Sequence, residues 1–360
     1  MHWKSTFLII GLALVISGLI TYASVGESRE ELEEREMPSI PLATLWYLLY
    51  GYDPATGACI GGIESTVWLR PQDTVYLPED GLYCSGDDDH IAYAIGKMKE
   101  AGIDTIWLSW LYNGDVDFDM VVNNLDFQAA DVTALKILQY LNLNEPTMKV
   151  AMLVEPFTIP GIDPDDVTIP QKQIILDYLW DRFYSVFPNQ IYNVGGKPLV
   201  FTWRPPEGRW LLSDTNDVRF TFKEWGVISE GADWEMSAAQ GLDGMKIGAD
   251  GTIWLFPRFD EFYMWINGHP GLASREFSEL VRQDPRLTDL LYDSAWKKAY
   301  DNSDDITLIT VYGWNPWAES AQLEPAFIGP YPNGNLLLHK TSWYYQRFLE
   351  GKDFELYMSP

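Results

Sequence analysis

Two carboxylates, an amide and two indoles crowd one short stretch: Trp314-Asn315-Pro316-Trp317-Ala318-Glu319-Ser320, then Leu323-Glu324-Pro325. Asn315 can cap a short helix, and Pro316 is tolerated at its first position, where no N–H is needed. Glu319 then falls about one turn on, beside Asn315 or Pro316. A helix start lowers the pKa of a carboxyl there, whereas burial beside Trp314 and Trp317 raises it. If burial wins, Glu319 is equipped to act as a general acid. A second candidate, Glu155, closes the apolar run 149–154 and precedes Pro156. An acid to protonate a leaving oxygen, a second carboxylate and flat aromatic platforms are what glycosidic cleavage requires. Glu319 and Glu155 are therefore the candidate catalytic pair. Trp314, Asn315, Trp317, Glu324, Trp110, Tyr52, Arg204 and Asp260 are the candidate substrate-binding residues, with Trp110, Trp314 and Trp317 as sugar platforms.

Other chemistries find little support. The four histidines, His2, His90, His269 and His339, are scattered, and no metal-ligand spacing accompanies Cys59 and Cys84. A zinc site or a Ser-His-Asp triad is not expected, and no glycine loop is built to cradle phosphate. Neither a metal nor a cofactor is expected. The formal net charge of -27 argues against nucleic acid and against anionic lipid heads, both of which call for concentrated Lys and Arg. The expected partner is a carbohydrate, and the 16 tryptophans suit stacking on sugar rings as well as core packing. Oligomeric state is left open.

The elements that must position these residues alternate between strand and helix. Residues 44–50 form a continuous apolar run, as in a strand buried on both faces. Asp87, Asp88 and Asp89 suit a helix start, Ile91, Ile95 and Met98 share one face, and Gly102 suits the helix end. Strands follow at 103–110, 149–154, 198–203 and 306–312, with weaker ones at 220–225 and 252–256. Helices are expected over 132–141, 173–186, 274–300 (broken near Pro285) and 336–349. Seven strands are plain and an eighth is not. The pattern predicts one α/β domain, a (β/α)8 TIM-type barrel with long loop insertions at the carboxyl-end face, where such barrels carry their sites. An open dinucleotide-binding sheet is disfavoured, since no glycine turn follows the first strand.

Ahead of the barrel, Lys4 and the apolar run 7–22 read as a targeting segment, either a cleaved signal peptide or a membrane anchor. The expected divisions are a leader at 1–26, an acidic linker at 27–40 and the barrel at 41–360. The protein is expected outside the cell, secreted or tethered through 7–22. In that setting Cys59 and Cys84 can pair, stabilising the fold by roughly 3 kcal/mol, or remain two buried thiols.

Several segments, in order, resemble glycoside hydrolase family 99. Tyr83-Cys84-Ser85-Gly86-Asp87 is similar to that family's Tyr-Ser-Ser-Arg-Asp element, and residues 98–110 to the helix and strand after it. Val154-Glu155-Pro156-Phe157 matches a Glu-Pro at the third strand, and Gly196-Lys197-Pro198 a Gly-x-Pro before the fourth. Residues 314–325 resemble the Trp-Asn-Glu-Trp-His-Glu-Gly-x-x-x-Glu-Pro signature. The resemblance implies a (β/α)8 barrel, retaining endo-α-mannosidase chemistry, Glu319 as the acid, and Glu155 near the reacting centre. In the family the first signature Glu deprotonates the sugar 2-hydroxyl; here that position is Pro316, and the intervening His is Ala318. Either another acid, Glu155 first, supplies the base, or the mechanism differs, or the protein is a catalytically silent glycan-binding or envelope protein on the same barrel.

Overall fold

The computed structural model of the chain describes residues 40–48, 50–52, 58–59, 77–112, 125–156, 168–203, 211–227, 234–236, 247–257, 286–315, 323–327 and 335–358. The expected leader and nearly all of the expected acidic linker lie outside this set. Among the described residues no helix is long and apolar enough to cross a membrane.

In chain order the elements are β1 (Leu42–Tyr47), β2 (Leu77–Pro78), α1 (Asp88–Glu100), β3 (Thr105–Tyr112), α2 (Leu125–Asn144), β4 (Lys149–Pro156), α3 (Ile169–Leu179), β5 (Asn193–Val194), β6 (Lys197–Trp203), β7 (Thr221–Val227), β8 (Trp234–Met236), β9 (Thr252–Leu255), α4 (Arg286–Asp301), β10 (Leu308–Val311), β11 (Ala326–Phe327) and α5 (Leu336–Leu349). The main sheet runs β8-β7-β6-β4-β3-β1-β10-β9, and every neighbouring pair along it is parallel. β5 adds an antiparallel hairpin to β6, and β11 pairs with β2 separately.

The sheet is curled. Trp225 on β7 stacks on Tyr312, just past β10, with ring centroids 6.0 Å apart, and lies 5.4 Å from Trp254 on β9. Five strand steps separate β7 from β10, which on a flat sheet would be about 24 Å. β8 and β9, the two ends of the path, lie beside each other, with no hydrogen-bonded ladder between them among the described residues.

Two apolar layers follow from this curvature. Alternate residues point to opposite sides of a strand. One parity (Leu45, Trp107, Leu153, Phe201, Trp225, Trp254) fills the concave side. The other (Trp46, Leu108, Trp110, Val154, Val200, Ile253) packs outward with the helices. A cross-strand hydrogen bond within the concave core joins Trp107 Nε1 to Thr310 Oγ1 at 3.1 Å.

Helix α1 begins and ends where its sequence indicates. Asp87 Oδ1 accepts from the backbone N–H groups of Asp89 and His90, a cap worth about 1 kcal/mol. Gly102 closes the helix at φ 84°, and a Cβ there would meet the Tyr345 ring at 2.8 Å. Three features add to or revise the reading of the sequence. The helix expected over 173–186 is α3 running into a π turn over Trp180–Tyr184. The hairpin before β6 turns on Gly195 and Gly196, both at positive φ, a two-residue turn suited to twisted strands. The eighth strand is β8, three residues long, too short to leave a period in the sequence.

Candidate functional site

The inner parity carries aromatic residues to the carboxyl end of the sheet. Tyr47, half-buried at the end of β1, shares a hydrogen bond with Tyr312 through their hydroxyls at 3.0 Å. Trp225 stacks on the same Tyr312, and Phe256 approaches it at 5.1 Å. Position 155 is next to last in β4 and has the parity of Ala151 and Leu153, both in the inner core. Continued one residue past Val154↔Thr202, the register aligns 155 with Trp203, whose own partner is Trp225. By register, position 155 falls at the carboxyl end of the sheet; its side chain lies outside the described residues.

The segment that follows β10 is fastened to that end at both of its ends. Trp314 N donates to Leu45 O at 2.5 Å. Asn315 grips the Tyr47 peptide on both sides: its Oδ1 accepts from Tyr47 N at 2.8 Å and its Nδ2 donates to Tyr47 O at 2.9 Å. Where the described chain resumes, Leu323 N donates to Gly313 O at 2.9 Å and Glu324 N to Trp314 O at 2.8 Å. The intervening residues 316–322 include Pro316, Trp317 and Glu319, which fall outside the described set, as do Arg204 and Asp260.

Behind the segment is a buried polar cluster. Tyr83 Oη donates to Glu324 Oε2 at 2.7 Å and accepts from Asn315 Nδ2 at 3.1 Å. The Tyr83 ring stacks on His90 at 3.4 Å. His90 Nδ1 lies 3.3 Å from Asp80 Oδ2, and its Nε2 stands 3.9 Å from Glu324 Oε1, beyond hydrogen-bond reach. Burial holds the His90 imidazole down to about 3, despite an opposing pull from Asp87, so it is neutral near pH 7. Burial raises the Tyr93 hydroxyl, and the negative charges of Glu79, Glu324 and Asp80 raise it further. The Asp80 carboxyl also rises, through burial first and then through Asp87.

Five expected contact residues are buried and engaged within the protein. Trp110 is fully buried, because three residues on from the inward Trp107 it has the opposite parity; it stacks on Tyr178. Trp314 is likewise fully buried in the outer core. A ring with no open face offers no platform, so both serve packing. Asn315 and Glu324 are sealed at 0% and 1% exposure, with polar atoms given to Tyr47 and Tyr83. Tyr52 turns towards α2, its hydroxyl 2.5 Å from Thr133 Oγ1 and its pKa raised by burial. Cys59 and Cys84 are joined as a disulfide with Cα atoms 5.6 Å apart, fastening the chain beside Tyr83. Sequence reasoning missed Tyr47, Tyr312, Tyr83 and His90. Tyr47 and Tyr312 were detectable as polar-tipped rings late in apolar runs. His90 offered no signal. Among the described residues no group of His, Cys, Asp or Glu is arranged to hold a metal.

No protein-family model and no curated protein sequence matches the chain. Solved structures do. Two of a GH99 endo-α-mannosidase from Bacteroides thetaiotaomicron are similar to it. One, in complex with bis-tris-propane, has a TM-score of 0.57 and 16% identity, covering 86% of this chain and 98% of that one. The other has a TM-score of 0.56 and 17% identity over the same shares. A protein described as glycoside hydrolase-like matches with a TM-score of 0.50 and 11% identity, covering 86% of this chain and 94% of its own. At such identities the likeness is one of fold, and the fold is glycoside hydrolase family 99-like.

Proposed function

We propose that the protein is a glycoside hydrolase working at the carboxyl-end mouth of a (β/α)8 barrel, with Glu319 as general acid and Glu155 as base or positioning carboxylate. The observation that carries this reading is the fastening of the chain at Trp314–Asn315 and again at Leu323–Glu324 onto the ends of β1 and β10. At about 3.5 Å per residue, covalent reach keeps Glu319 within about 14 Å of Asn315. Position 155, next to last in β4, shares the parity of Ala151 and Leu153 at the same end of the sheet. Position 155 and the two fastened ends of the Glu319-bearing segment thus share one end of one sheet, which supports pairing two carboxylates 164 positions apart in sequence (319 minus 155). Of the inner aromatic group, Trp225, Phe256 and Tyr312 are buried and back the half-open Tyr47, which is the inner ring in a position to meet a sugar there, and the family 99-like fold supports the substrate class.

In this reading the acid protonates the leaving oxygen, and the partner carboxylate draws a proton from the attacking group. α-Linked mannosides are the first substrates to try, and Trp317, Arg204 and Asp260 the remaining contact candidates. The protein is read as exported, with a leader at 1–26, a linker at 27–40 and one barrel at 41–360. The disulfide supports an oxidising compartment. Glu319→Gln is expected to lower turnover of α-mannooligosaccharides at least about 100-fold, the usual size of general-acid catalysis. Undiminished turnover in that mutant removes the assignment.

A second reading is favoured by Pro316, which stands where the family 99 signature has its first Glu and cannot transfer a proton. The chain would then bind glycans without cleaving them. Calorimetric binding without product, unchanged by Pro316→Glu, supports that alternative.

A further inference from the structure

We propose that Tyr83 and Glu324 are the positioning pair of this site: one buried hydrogen bond that, through Asn315, holds both ends of the Glu319-bearing segment against the carboxyl end of β1. The inference rests on the glycosidase reading above.

The contacts join three parts of the chain that are remote in sequence. Tyr83 bonds Glu324 across 241 residues and Asn315 across 232, while Asn315 bonds Tyr47 across 268. Glu324 and Asn315 are sealed from solvent, so neither can touch a substrate. Burying a carboxyl is costly unless it is hydrogen-bonded, and such a group fixes geometry where an apolar residue would only fill space. Asn315 addresses the segment as it leaves the sheet and Glu324 as it returns. Tyr83 Oη is the atom they share.

Tyr83 is itself held from several sides. Its ring lies flat against the neutral His90 and edge-on to Tyr50. The next residue, Cys84, is bonded to Cys59, and Ser85 exchanges hydrogen bonds with the Tyr50 backbone at 2.8 and 3.1 Å. Gly51 packs so closely that a Cβ there would meet Tyr83 O at 2.2 Å. A rigid backing of this kind transmits the position of one hydroxyl to the segment it holds.

The test compares wild type with Tyr83→Phe, Glu324→Gln and Glu324→Leu. Tyr83→Phe keeps the ring and removes only the shared hydroxyl. Its kcat on α-mannooligosaccharides is expected to fall about ten- to a hundredfold with KM within about twofold, the size of effect that small misplacement has. Amide exchange at Leu323 and Glu324 should quicken at least about tenfold, with β3 and β4 amides unchanged. Glu324→Leu should behave likewise, and Glu324→Gln, which keeps an acceptor for Tyr83, should lose less. Unchanged exchange at Leu323 and Glu324 in Tyr83→Phe overturns the proposal, as does a loss of kcat no greater than the loss of folded protein. If the wild type cleaves nothing, the glycosidase reading fails separately. The exchange rates then decide the anchoring alone: faster supports it and unchanged rejects it.

Discussion

Two aromatic groups stand at the same end of this sheet and do opposite work. The outer one, Trp46, Tyr83, His90 and Trp314, lies between strands and helices and is buried throughout. Tyr83 there bonds to Glu324 and Asn315 and stacks on His90, and the chain is fastened in place. The inner one, Tyr47, Trp225, Phe256 and Tyr312, is gathered on the concave side, with the hydroxyls of Tyr47 and Tyr312 paired and Tyr47 half-open. Composition does not separate the two groups, since both are aromatic. Side separates them: the outer rings pack between sheet and helices, whereas the inner rings gather on the concave side, where Tyr47 alone of the four is half-open.

The sharpest way to break that contrast is Trp314→Ala. As an outer core ring it should cost about 3–5 kcal/mol of stability by denaturant unfolding, with sugar affinity per folded molecule unchanged. An unshifted midpoint with weakened binding would move Trp314 to the inner group. Next in size is the disulfide that backs Tyr83. Cys59→Ser is expected to cost roughly 3 kcal/mol, seen as a fall in the denaturation midpoint that reducing agent reproduces in the wild type.

His90 provides a pH test of the outer layer. Its folded pKa, about 3, lies below the ordinary 6.5, so the unfolded chain binds the proton more readily. The stability it confers is therefore complete above pH 6.5 and drains away as pH falls from there towards 3. Between pH 7 and 5 the wild type should lose about 2 kcal/mol more than His90→Gln. Equal losses in the two proteins would mean that the imidazole is not sealed in the outer layer. The smallest effect belongs to the inner group: Tyr47→Phe should cost about 1 kcal/mol of stability for the lost hydroxyl pair. If Tyr47 meets the sugar, affinity for α-mannooligosaccharides should weaken as well, and unaltered binding would separate Tyr47 from the ligand.

Much of the scaffold could be read in advance. Asp87 and Gly102 bound α1 as their chemistry requires, and 336–349 is a helix over its whole expected length. The runs 149–154, 198–203 and 306–312 are strands, shifted by a residue or two at their ends. β8 was missed because three residues carry no period. The site was half legible. Glu155 could be located at a strand end, but Glu324 and Asn315, which look like ligands for a sugar, prove to be ligands for Tyr83 and for the Tyr47 peptide.

Alternation along a strand was decided by the sequence alone: in Thr105-Ile106-Trp107-Leu108-Ser109-Trp110 the two indoles, three residues apart, must face opposite ways. Which of them faces inward was not, because a parallel sheet covered on both sides is apolar on both, and its pattern does not mark the concave face. That choice was made by the curl of the sheet, which brings Trp225 within 6.0 Å of Tyr312 and sends Trp110 to the helices.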